Sequence, residues 1–336
     1  MTTTDTGTDT RVPVTVLTGF LGSGKTTLLN RILTEEHGQK IAVIENEYGE
    51  VGIDDGLVYD SDEEIFEMNN GCICCTVRGD LIRILATLMK RTERFDRIVI
   101  ETTGLADPAP VAQTFFMDDE LREQLRLDAI ITLVDAKHIT DHLLEEKPED
   151  VENEAVEQVA FADRLILNKT DLVGLGELDE VVTHLRSINA MADIIPTQHA
   201  KVDLASILDV GAFSLDRILQ TDPTFLTETD HQHDLTVTSV GIETEGAIDV
   251  EKLNDWLGKM LGERGVDIFR SKGILNIDGM DNQYVFQAVH MLFDGDEGRA
   301  WGRDERRTNR MVFIGRNLDR AELEAEFNAC LIGAGA

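Results

Sequence analysis

The sequence predicts an α/β fold, in which a domain with a mainly parallel sheet and helices on both faces is followed by a smaller α+β domain. Three observations support this prediction. Short runs of Val, Ile, Leu and Ala, typical of strands buried on both faces, alternate with helical segments through the first part of the chain. The first run leads directly into a glycine-rich loop and a helix. Beyond a polar stretch, apolar runs recur without such a loop.

The elements of the first domain follow from these apolar runs, each of which ends where polar or glycine residues begin. Strands are predicted at Val12–Thr18, Lys40–Glu45, Arg97–Ile100, Ala129–Val134 and Arg164–Leu167, with helices at Thr27–Leu33 and Val111–Phe116. Parallel strands place their carboxyl ends at one edge of the sheet, and ligands of such sheets bind there. We therefore expect the functional residues of this domain to follow the strands.

The second domain is predicted from strand-like runs and from two stretches with apolar residues at helical spacing. The strands are predicted at Leu235–Ile242, Gly273–Ile277, Tyr284–Leu292 and Met311–Ile314, and the helices at Asp249–Leu261 and around Leu323–Leu331. Cys330 lies beside the last apolar stripe and is predicted to pack in the core. The predicted organisation is a disordered tail at 1–11, the first domain at 12–219, a linker at 220–234 and the second domain at 235–332.

The charge of the chain narrows the classes of function. With 64 acidic and 31 basic residues, the formal net charge is −33. Because attraction to phosphate backbones needs Lys and Arg, this charge argues against nucleic-acid binding. Only 10 of the basic residues are Lys, and an acidic, Lys-poor surface is typical of halophilic proteins, whose high-salt cytoplasm screens self-repulsion. The alternative is an ordinary acidic protein with a basic partner.

The distribution of apolar residues and cysteines predicts the cellular compartment of the protein. No apolar run approaches the ~18 residues of a membrane span, so we expect a soluble protein without a membrane partner. Met1–Thr10 has no apolar stretch and therefore does not resemble a secretory signal. Three of the four cysteines lie within four positions, which does not make a disulfide framework. The reducing cytoplasm is therefore the predicted location.

The glycine-rich loop after the first strand, GFLGSGKT, predicts a phosphate site. Its glycines permit backbone conformations that turn amide N–H groups inward around phosphates, and the following helix adds positive potential at its N-terminus. Lys25 can reach the outer phosphates, and the Thr26 hydroxyl can bind Mg²⁺. The predicted nucleotide-binding residues of this loop are Gly19, Gly22, Ser23, Gly24, Lys25, Thr26 and Thr27.

Acidic residues and a glycine follow the next two predicted strands. The polar segment after the second strand can respond to a γ-phosphate, although a solvated acidic loop is the alternative. Its candidates for Mg²⁺, for positioning water or for a second metal are Glu45, Glu47, Glu50, Asp54 and Asp55. The third strand ends at Glu101, which can hold Mg²⁺, and the Gly104 amide can sense the γ-phosphate. Lys25, Glu101 and Gly104 are therefore the predicted catalytic residues.

The tetrapeptide NKTD, which begins at Asn168 directly after a predicted strand, indicates recognition of guanine. A carboxylate placed like that of Asp171 accepts hydrogen bonds from the guanine N1–H and exocyclic amino group, which adenine cannot supply. Lys169 can lie over the plane of the base. Asn and Asp are also common in ordinary strand-to-helix turns, but behind a phosphate-binding loop the tetrapeptide favours GTP over ATP.

Three cysteines, Cys72, Cys74 and Cys75, lie within four positions and indicate a site for a soft metal. Thiolates select Zn²⁺, Cu⁺ or similar ions, and a zinc site is usually tetrahedral. Three sulfurs do not complete four ligands, so the remainder could come from Glu45 or Glu50, a histidine, water or a partner. The alternatives are buried structural cysteines, a redox pair and a static structural zinc site.

Together these motifs resemble those of a known family. The stretches GFLGSGKTTLLN, ENEYGEVGIDD, NGCICC, ETTGLADPAP and NKTD, in this order, are similar to the CobW-type family of metal-handling P-loop GTPases, in particular its YjiA-like branch. In the second domain, RSKGILNIDG and RMVFIGRNLD resemble the CobW C-terminal domain. The resemblance implies a GTP-dependent metallochaperone or metal insertase, most often for Zn²⁺ and in some branches for Co²⁺ in cobalamin synthesis.

The resemblance also implies roles for particular residues. The transported metal is assigned to Cys72, Cys74 and Cys75, with Glu45 and Glu50 as further ligands, and phosphate and Mg²⁺ are assigned to residues 22–27. From the residues themselves, the predicted Mg²⁺ ligands are Thr26, Glu101 and Asp54. Many relatives carry a histidine-rich stretch near the domain junction, where this chain has only His231 and His233. Our hypothesis is that Mg²⁺–GTP shapes the metal site and that hydrolysis releases the metal to an unknown client. The alternative is a GTPase that acts through interactions and holds a purely structural metal.

Overall fold

The computed structural model describes residues 10–35, 37–45, 65–67, 76–90, 95–104, 106–145, 147, 153–208, 210–211, 237–303 and 305–333, with the backbone alone at 65–67, 76–78 and 80. Several predicted residues lie outside these ranges. They are Glu47, Glu50, Asp54, Asp55, Cys72, Cys74, Cys75, His231 and His233, together with most of the predicted tail and the whole of the predicted linker.

Within the described residues, the first sheet has seven parallel strands, which confirms the predicted α/β architecture. The strands are β1 Val12–Gly19, β2 Ile41–Glu45, β3 Ile65–Glu67, β4 Arg97–Glu101, β5 Leu125–Asp135, β6 Arg164–Asn168 and β7 Asp193–Pro196. Their order across the sheet is β3-β2-β4-β1-β5-β6-β7. Because β1 lies in the centre, the glycine-rich loop that follows it opens at the middle of the carboxyl edge.

Helices and apolar loops cover both faces of this sheet. The helices are α1 Lys25–Thr34, α2 Thr76–Met89, α3 Ala109–Met117, α4 Asp119–Gln124, α5 Ile139–Leu143, α6 Glu154–Phe161 and α7 Leu175–Ile188. Neighbouring residues of a strand, such as Val16 and Leu17, belong to two different buried clusters. One cluster includes residues of α2, α3, α6 and α7, and the other includes residues of α1 and of the segment 200–210. This alternation explains why the strands consist of nearly continuous apolar residues.

The part of the second domain that the structure describes contains a five-stranded antiparallel sheet and two helices, as the α+β prediction requires. The strands are β8 Val237–Glu245, β9 Ile268–Leu275, β10 Asn282–Val289, β11 Leu292–Ala300 and β12 Thr308–Arg316, in the order β11-β10-β9-β12-β8, and the helices are α8 Val250–Arg264 and α9 Arg320–Ala329. The ring of Trp256 in α8 packs at a tilt against that of Phe327 in α9, in the buried cluster between helices and sheet. Cys330 is buried in the same cluster, as predicted, and burial raises the pKa of its thiol to about 11.

The other face of the second sheet packs against the first domain. Phe269, Ile274 and Val312 belong to the same buried cluster as strands of the first sheet. At one border of this interface, the Ser239 hydroxyl donates to the carbonyl of Ile188, 2.9 Å away, at the end of α7. The described parts of the two domains therefore share a continuous apolar core.

One strand prediction is wrong. The sequence predicts a single strand over Tyr284–Leu292, but the structure places the end of β10 at Val289 and the start of β11 at Leu292. The chain reverses at His290, whose φ of 50° lies in the left-handed region. The tight turn contains no glycine, proline, Asn or Asp, so the usual signals of a hairpin are missing. The polar and glycine-rich β11 also escapes prediction, because it shows little of the apolar alternation of a half-buried strand.

Candidate functional site: a nucleotide pocket at the carboxyl edge of the first sheet

Two glycines of the loop between β1 and α1 have no room for a side chain. Gly19 has a φ of 138°, and a Cβ there would lie 2.3 Å from the carbonyl oxygen of Leu133 on β5. Gly24, which precedes the first residue of α1, has a φ of 111°, and its Cβ would lie 2.5 Å from Nδ2 of Asn168. The loop is therefore held close to β5 and to the end of β6 by backbone contacts that only glycine allows.

Lys25 is the first residue of α1 and lies inside this loop. Its ammonium group donates hydrogen bonds to the carbonyl oxygens of Gly19 and Phe20, at 2.7 and 3.3 Å. Burial lowers the pKa of Lys25, and the nearby negative charge of Glu101 opposes that shift. Two acceptors and one carboxylate thus hold a cation at the point where the N-terminus of α1 begins, which is the arrangement that binds nucleotide phosphates.

Two buried hydroxyls at the same edge of the sheet support a bound ligand. The Ser23 Oγ in the loop and the Thr103 Oγ1 after β4 have no hydrogen-bond partner among the described residues. Buried polar atoms in native proteins are almost always satisfied, so these two are expected to bind a phosphate oxygen or water. Thr26, one residue after Lys25, is partly exposed. A nucleotide with Mg²⁺ therefore fits the residues that are present.

Glu45 and Glu101 lie at the ends of neighbouring strands. They are partners in the register of β2 with β4, and both are partly exposed. Thr102, directly after Glu101, donates its hydroxyl to the Thr18 hydroxyl on β1 at 2.8 Å. The ends of β1, β2 and β4 thus bring both carboxylates to the edge that carries the glycine-rich loop, as the sequence predicts.

The turn that contains Gly104 packs directly on the glycine-rich loop between β1 and α1, called the phosphate loop from here on. The N–H of Ala106 donates to the carbonyl of Thr103 at 3.1 Å, which closes the turn. A Cβ on Gly104 would lie 2.8 Å from the backbone nitrogen of Leu21, in the phosphate loop. The structure therefore places the Gly104 backbone in contact with the phosphate loop.

The motif that begins at Asn168 is held against the phosphate loop from the other side. The Asn168 side chain donates to the carbonyl of Ser23 at 2.9 Å and accepts the N–H of Ala200 at 2.9 Å. Asp171 is exposed and forms no hydrogen bond or ion pair with the part of the chain that the structure describes. Its carboxylate is thus available to a base whose phosphates occupy the loop.

Lys169 has a partner that the sequence does not predict. Its φ is 61°, and its ammonium group donates to Oδ2 of Asp135, the last residue of β5, at 2.8 Å. The His138 ring bonds to the same oxygen at 3.0 Å. Burial raises the pKa of Asp135, but the hydrogen bonds from Lys169 and His138 outweigh it and lower the pKa overall. The ionised Asp135 therefore orients Lys169; its position at the end of a predicted strand was the available signal.

The predicted metal ligands are described only in part. Glu45 is in place at the end of β2, whereas Cys72, Cys74, Cys75 and Glu50 lie outside the described residues. Within the described ranges, no three His, Cys, Asp or Glu side chains come together in a way that could hold a metal ion. In the same ranges, no helix has the length and apolar character needed to cross a membrane.

The fold and the site together define a P-loop nucleotide-binding protein with a guanine-reading motif and a second, antiparallel domain. The family model for the CobW/HypB/UreG nucleotide-binding domain matches residues 13–196, and that for the cobalamin synthesis protein cobW C-terminal domain matches residues 237–331. The chain belongs to this CobW family.

Relatives of known name span almost the whole chain. It is 40% identical to the zinc chaperone YjiA of Escherichia coli over 321 residues, which cover 94% of this chain and 98% of the relative. It is 36% identical to zinc-regulated GTPase metalloprotein activator 1 of Schizosaccharomyces pombe over 349 residues, which cover 92% and 83%. The crystal structure of Zn(II)-bound YjiA GTPase from E. coli matches with a TM-score of 0.73 and 35% identity, over 95% of this chain and 99% of that one.

The contact between Gly24 and Asn168 leads to a testable prediction. We expect Gly24→Ala to weaken GTP binding at least about tenfold. The new methyl group must displace the Asn168 amide, and the backbone of an alanine is strained at this positive φ. Gly38→Ala is the matched control, because Gly38 also has a positive φ, 71°, but nothing lies within 4 Å of the position that a Cβ would take there. Titration with a fluorescent guanine nucleotide measures both. Equal affinities in the two variants would contradict the prediction.

Proposed function

We propose that this chain is a GTP-hydrolysing zinc chaperone in which the bound nucleotide controls the affinity for the metal. One observation carries the proposal: the segment with the cysteines begins at the edge of the sheet that holds the phosphate loop. Strand β3, beside β2, ends at Glu67, and α2 begins at Thr76 directly after Cys75. Parallel strands share one carboxyl edge, so the chain enters the cysteine segment from the nucleotide side of the domain.

The nucleotide would be held by groups with separate roles. The phosphates would lie in the loop around Lys25, and the guanine base beside Asp171. Thr26 and Glu101 would hold Mg²⁺, with Asp54 as a further candidate outside the described residues. The metal neutralises charge that develops on the transferred phosphoryl group. In this proposal the Gly104 amide senses the γ-phosphate, which its contact with the phosphate loop supports.

The transported metal would be bound by Cys72, Cys74 and Cys75, with Glu45 and Glu50 as further ligands. Thiolate ligands and relatives named as zinc chaperones favour Zn²⁺ over the alternative Co²⁺. Glu45 stands beside Glu101, and the charge of Glu101 acts on Lys25. A carboxylate proposed for the cargo and one proposed for the nucleotide are therefore neighbours on adjacent strands.

This neighbourhood supports a coupling between the two ligands. Mg²⁺–GTP would order the segment that follows Glu45 and bring the cysteines into a binding geometry, and hydrolysis would relax it and release the metal to a client. By linkage, metal and GTP must then strengthen each other's binding by the same factor. The acidic, Lys-poor composition further suggests that this cycle runs in a high-salt cytoplasm.

The proposal predicts that zinc affinity depends on the nucleotide. In competition with a chromophoric chelator, we expect Zn²⁺ to bind at least about tenfold more tightly with Mg²⁺–GTP than with Mg²⁺–GDP or without nucleotide. Cys74→Ser should abolish this GTP-dependent gain, because it removes one thiolate. Measurements in high-salt buffer keep the acidic surface screened.

Cys330→Ser is the matched control for this experiment. Cys330 is buried in the second domain and its thiol pKa is raised to about 11, so it is not expected to supply a thiolate. The control should keep the full nucleotide dependence. Equal zinc affinity in all three nucleotide states would overturn the proposal and favour a GTPase that acts through interactions and holds a structural metal.

A further inference from the structure

Helix α6 carries a buried glutamine that binds the turn after β4. The Gln158 side chain is 2% exposed, and its amide nitrogen donates to the carbonyl oxygens of Gly104 and Ala106, at 3.2 and 3.1 Å. A side-chain amide nitrogen carries two N–H donors, which is enough for both carbonyls. The backbone oxygen of the same residue accepts the Thr132 hydroxyl of β5 at 2.8 Å. Gln158 thus connects the turn to the centre of the sheet.

The two bonds determine how the turn faces the phosphate loop. Gly104 accepts the Gln158 amide at its carbonyl oxygen, and a Cβ at its Cα would meet the backbone of Leu21. The Ala106 N–H closes the turn on Thr103, whose hydroxyl is buried without a partner among the described residues. The Gln158 amide therefore holds the peptide group that follows Gly104, and the bond to the Thr103 carbonyl holds the peptide group that carries the Gly104 N–H.

The C-terminal residue of α6, three positions after Gln158, is bound to the second domain. The carbonyl of Phe161, the last residue of the helix, accepts a hydrogen bond from Arg270 of β9. The Phe161 and Phe269 rings pack with centroids 5.8 Å apart. One short helix therefore joins the turn that contacts the phosphate loop to the strand through which the second domain docks.

We propose that Gln158 is a positioning residue for GTP hydrolysis, which holds the Gly104 turn in the orientation that receives the γ-phosphate. The inference rests on the proposed function in one respect, the role of Gly104 as the γ-phosphate sensor. GDP has no γ-phosphate and makes no use of this turn. If Gln158 has this positioning role, its replacement changes the preference for GTP over GDP. If its role is purely structural, its replacement weakens the binding of both nucleotides alike.

The test compares the binding of two nucleotides to Gln158→Leu. Leucine has nearly the size of glutamine but no donor, so the two carbonyls lose their partner. With Mg²⁺, calorimetry is expected to show a Kd for GDP within about twofold of the unmodified protein and a Kd for a non-hydrolysable GTP analogue about tenfold weaker. Single-turnover hydrolysis of GTP should slow by about tenfold as well. Gln158→Glu keeps one donor when it is protonated. Its affinity for the GTP analogue should therefore lie between those of the unmodified protein and Gln158→Leu, and this variant decides the question if Gln158→Leu does not fold.

Asn189→Leu is the control for a general disturbance of α6. The fully buried Asn189 amide donates to the carbonyls of Val159, Ala160 and Ala162, at and just beyond the C-terminal end of the helix, and it forms no hydrogen bond with the described residues of the Gly104 turn. This variant removes the same chemical group from contact with the same helix. Its thermal stability should fall while its preference for the GTP analogue over GDP stays unchanged.

Gly104→Ala separates failure of this inference from failure of the proposed function. Its Cβ would collide with Leu21, so a γ-phosphate sensor at this position must lose its preference for the GTP analogue. If Gly104→Ala loses that preference and Gln158→Leu keeps it, the inference on Gln158 is overturned and the proposed function stands. If both keep it, the proposed role of Gly104 is overturned, and the inference with it. If Gln158→Leu weakens the binding of the GTP analogue and of GDP by the same factor, the role of Gln158 is structural only.

Discussion

Replacing Asp171 by Asn is expected to weaken GTP binding by a factor of about 100 or more, because the two hydrogen bonds that we propose between guanine and this charged acceptor are lost. Asparagine presents an amide where guanine presents its N1–H and amino group. Xanthosine triphosphate carries an oxygen in place of that amino group, so it should gain affinity in the same variant. Titration of both nucleotides against Asp171→Asn measures the reversal.

Asp179→Asn provides the same change of charge at an exposed site of α7, away from the motif. It should leave the ratio of GTP to xanthosine triphosphate affinity unchanged. If Asp171→Asn binds GTP as tightly as this control, the base is read by another residue. Both variants leave Asn168 unchanged, so the hydrogen bond from its amide to the carbonyl of Ser23 still joins the motif to the phosphate loop.

A second large effect is expected at the domain interface, where Asp163→Asn should lower the free energy of unfolding by about 3–5 kcal/mol. The Asp163 carboxylate is 2% exposed and bonds to both Arg270 and Lys272, which are almost as deeply buried. Its second oxygen accepts the N–H of Ile130 at 2.7 Å. One anion faces two cations, so removal of its charge leaves two buried positive charges together. Denaturant unfolding of the full chain measures the loss.

Lys272→Met is the informative comparison, because it leaves Asp163 and Arg270 as a balanced pair. Burial and the charge of Arg270 lower the pKa of Lys272 to about 8, in spite of the nearby Asp163. The lysine is therefore the member of the cluster that is most costly to keep charged. Its replacement by an apolar side chain of similar length is expected to be neutral or stabilising. A loss as large as that of Asp163→Asn would show that excess positive charge is not the cause.

The parts of this protein that could be predicted from its sequence are those in which neighbouring residues act together. The phosphate loop, the strand before it and the helix after it form one continuous segment, so its glycines, Lys25 and Thr26 were recognisable as a unit. The tetrapeptide at Asn168 and the carboxylate at Glu101 each follow a strand directly. Parallel strands share a carboxyl edge, and this rule alone brought these separate segments to one site.

The parts that could not be predicted depend on residues far apart in the chain. Gln158 reads as an ordinary polar residue of a helix, and only the packing of α6 on β5 brings its amide to Gly104. The same holds for Asp163, whose partner Arg270 is 107 residues away. Helix α7 is not predicted for a different reason: Gly174 at its N-cap has no side chain, and Glu177, whose carboxylate accepts the Gly174 N–H, is a weak signal by itself. Short-range patterns do not carry such information.

The central position of β1 has a consequence for the order in which this protein can be made. In the sheet that the structure describes, the first strand of the chain pairs only with β4 and β5, and Leu17 pairs with Glu101. During synthesis β1 must therefore wait, with an apolar surface uncovered, until some eighty further residues have left the ribosome. The tetrapeptide at Asn168 emerges later still. A nascent chain can therefore complete its GTP pocket only when most of the first domain has been translated, so GTP stabilises finished domains and not early fragments.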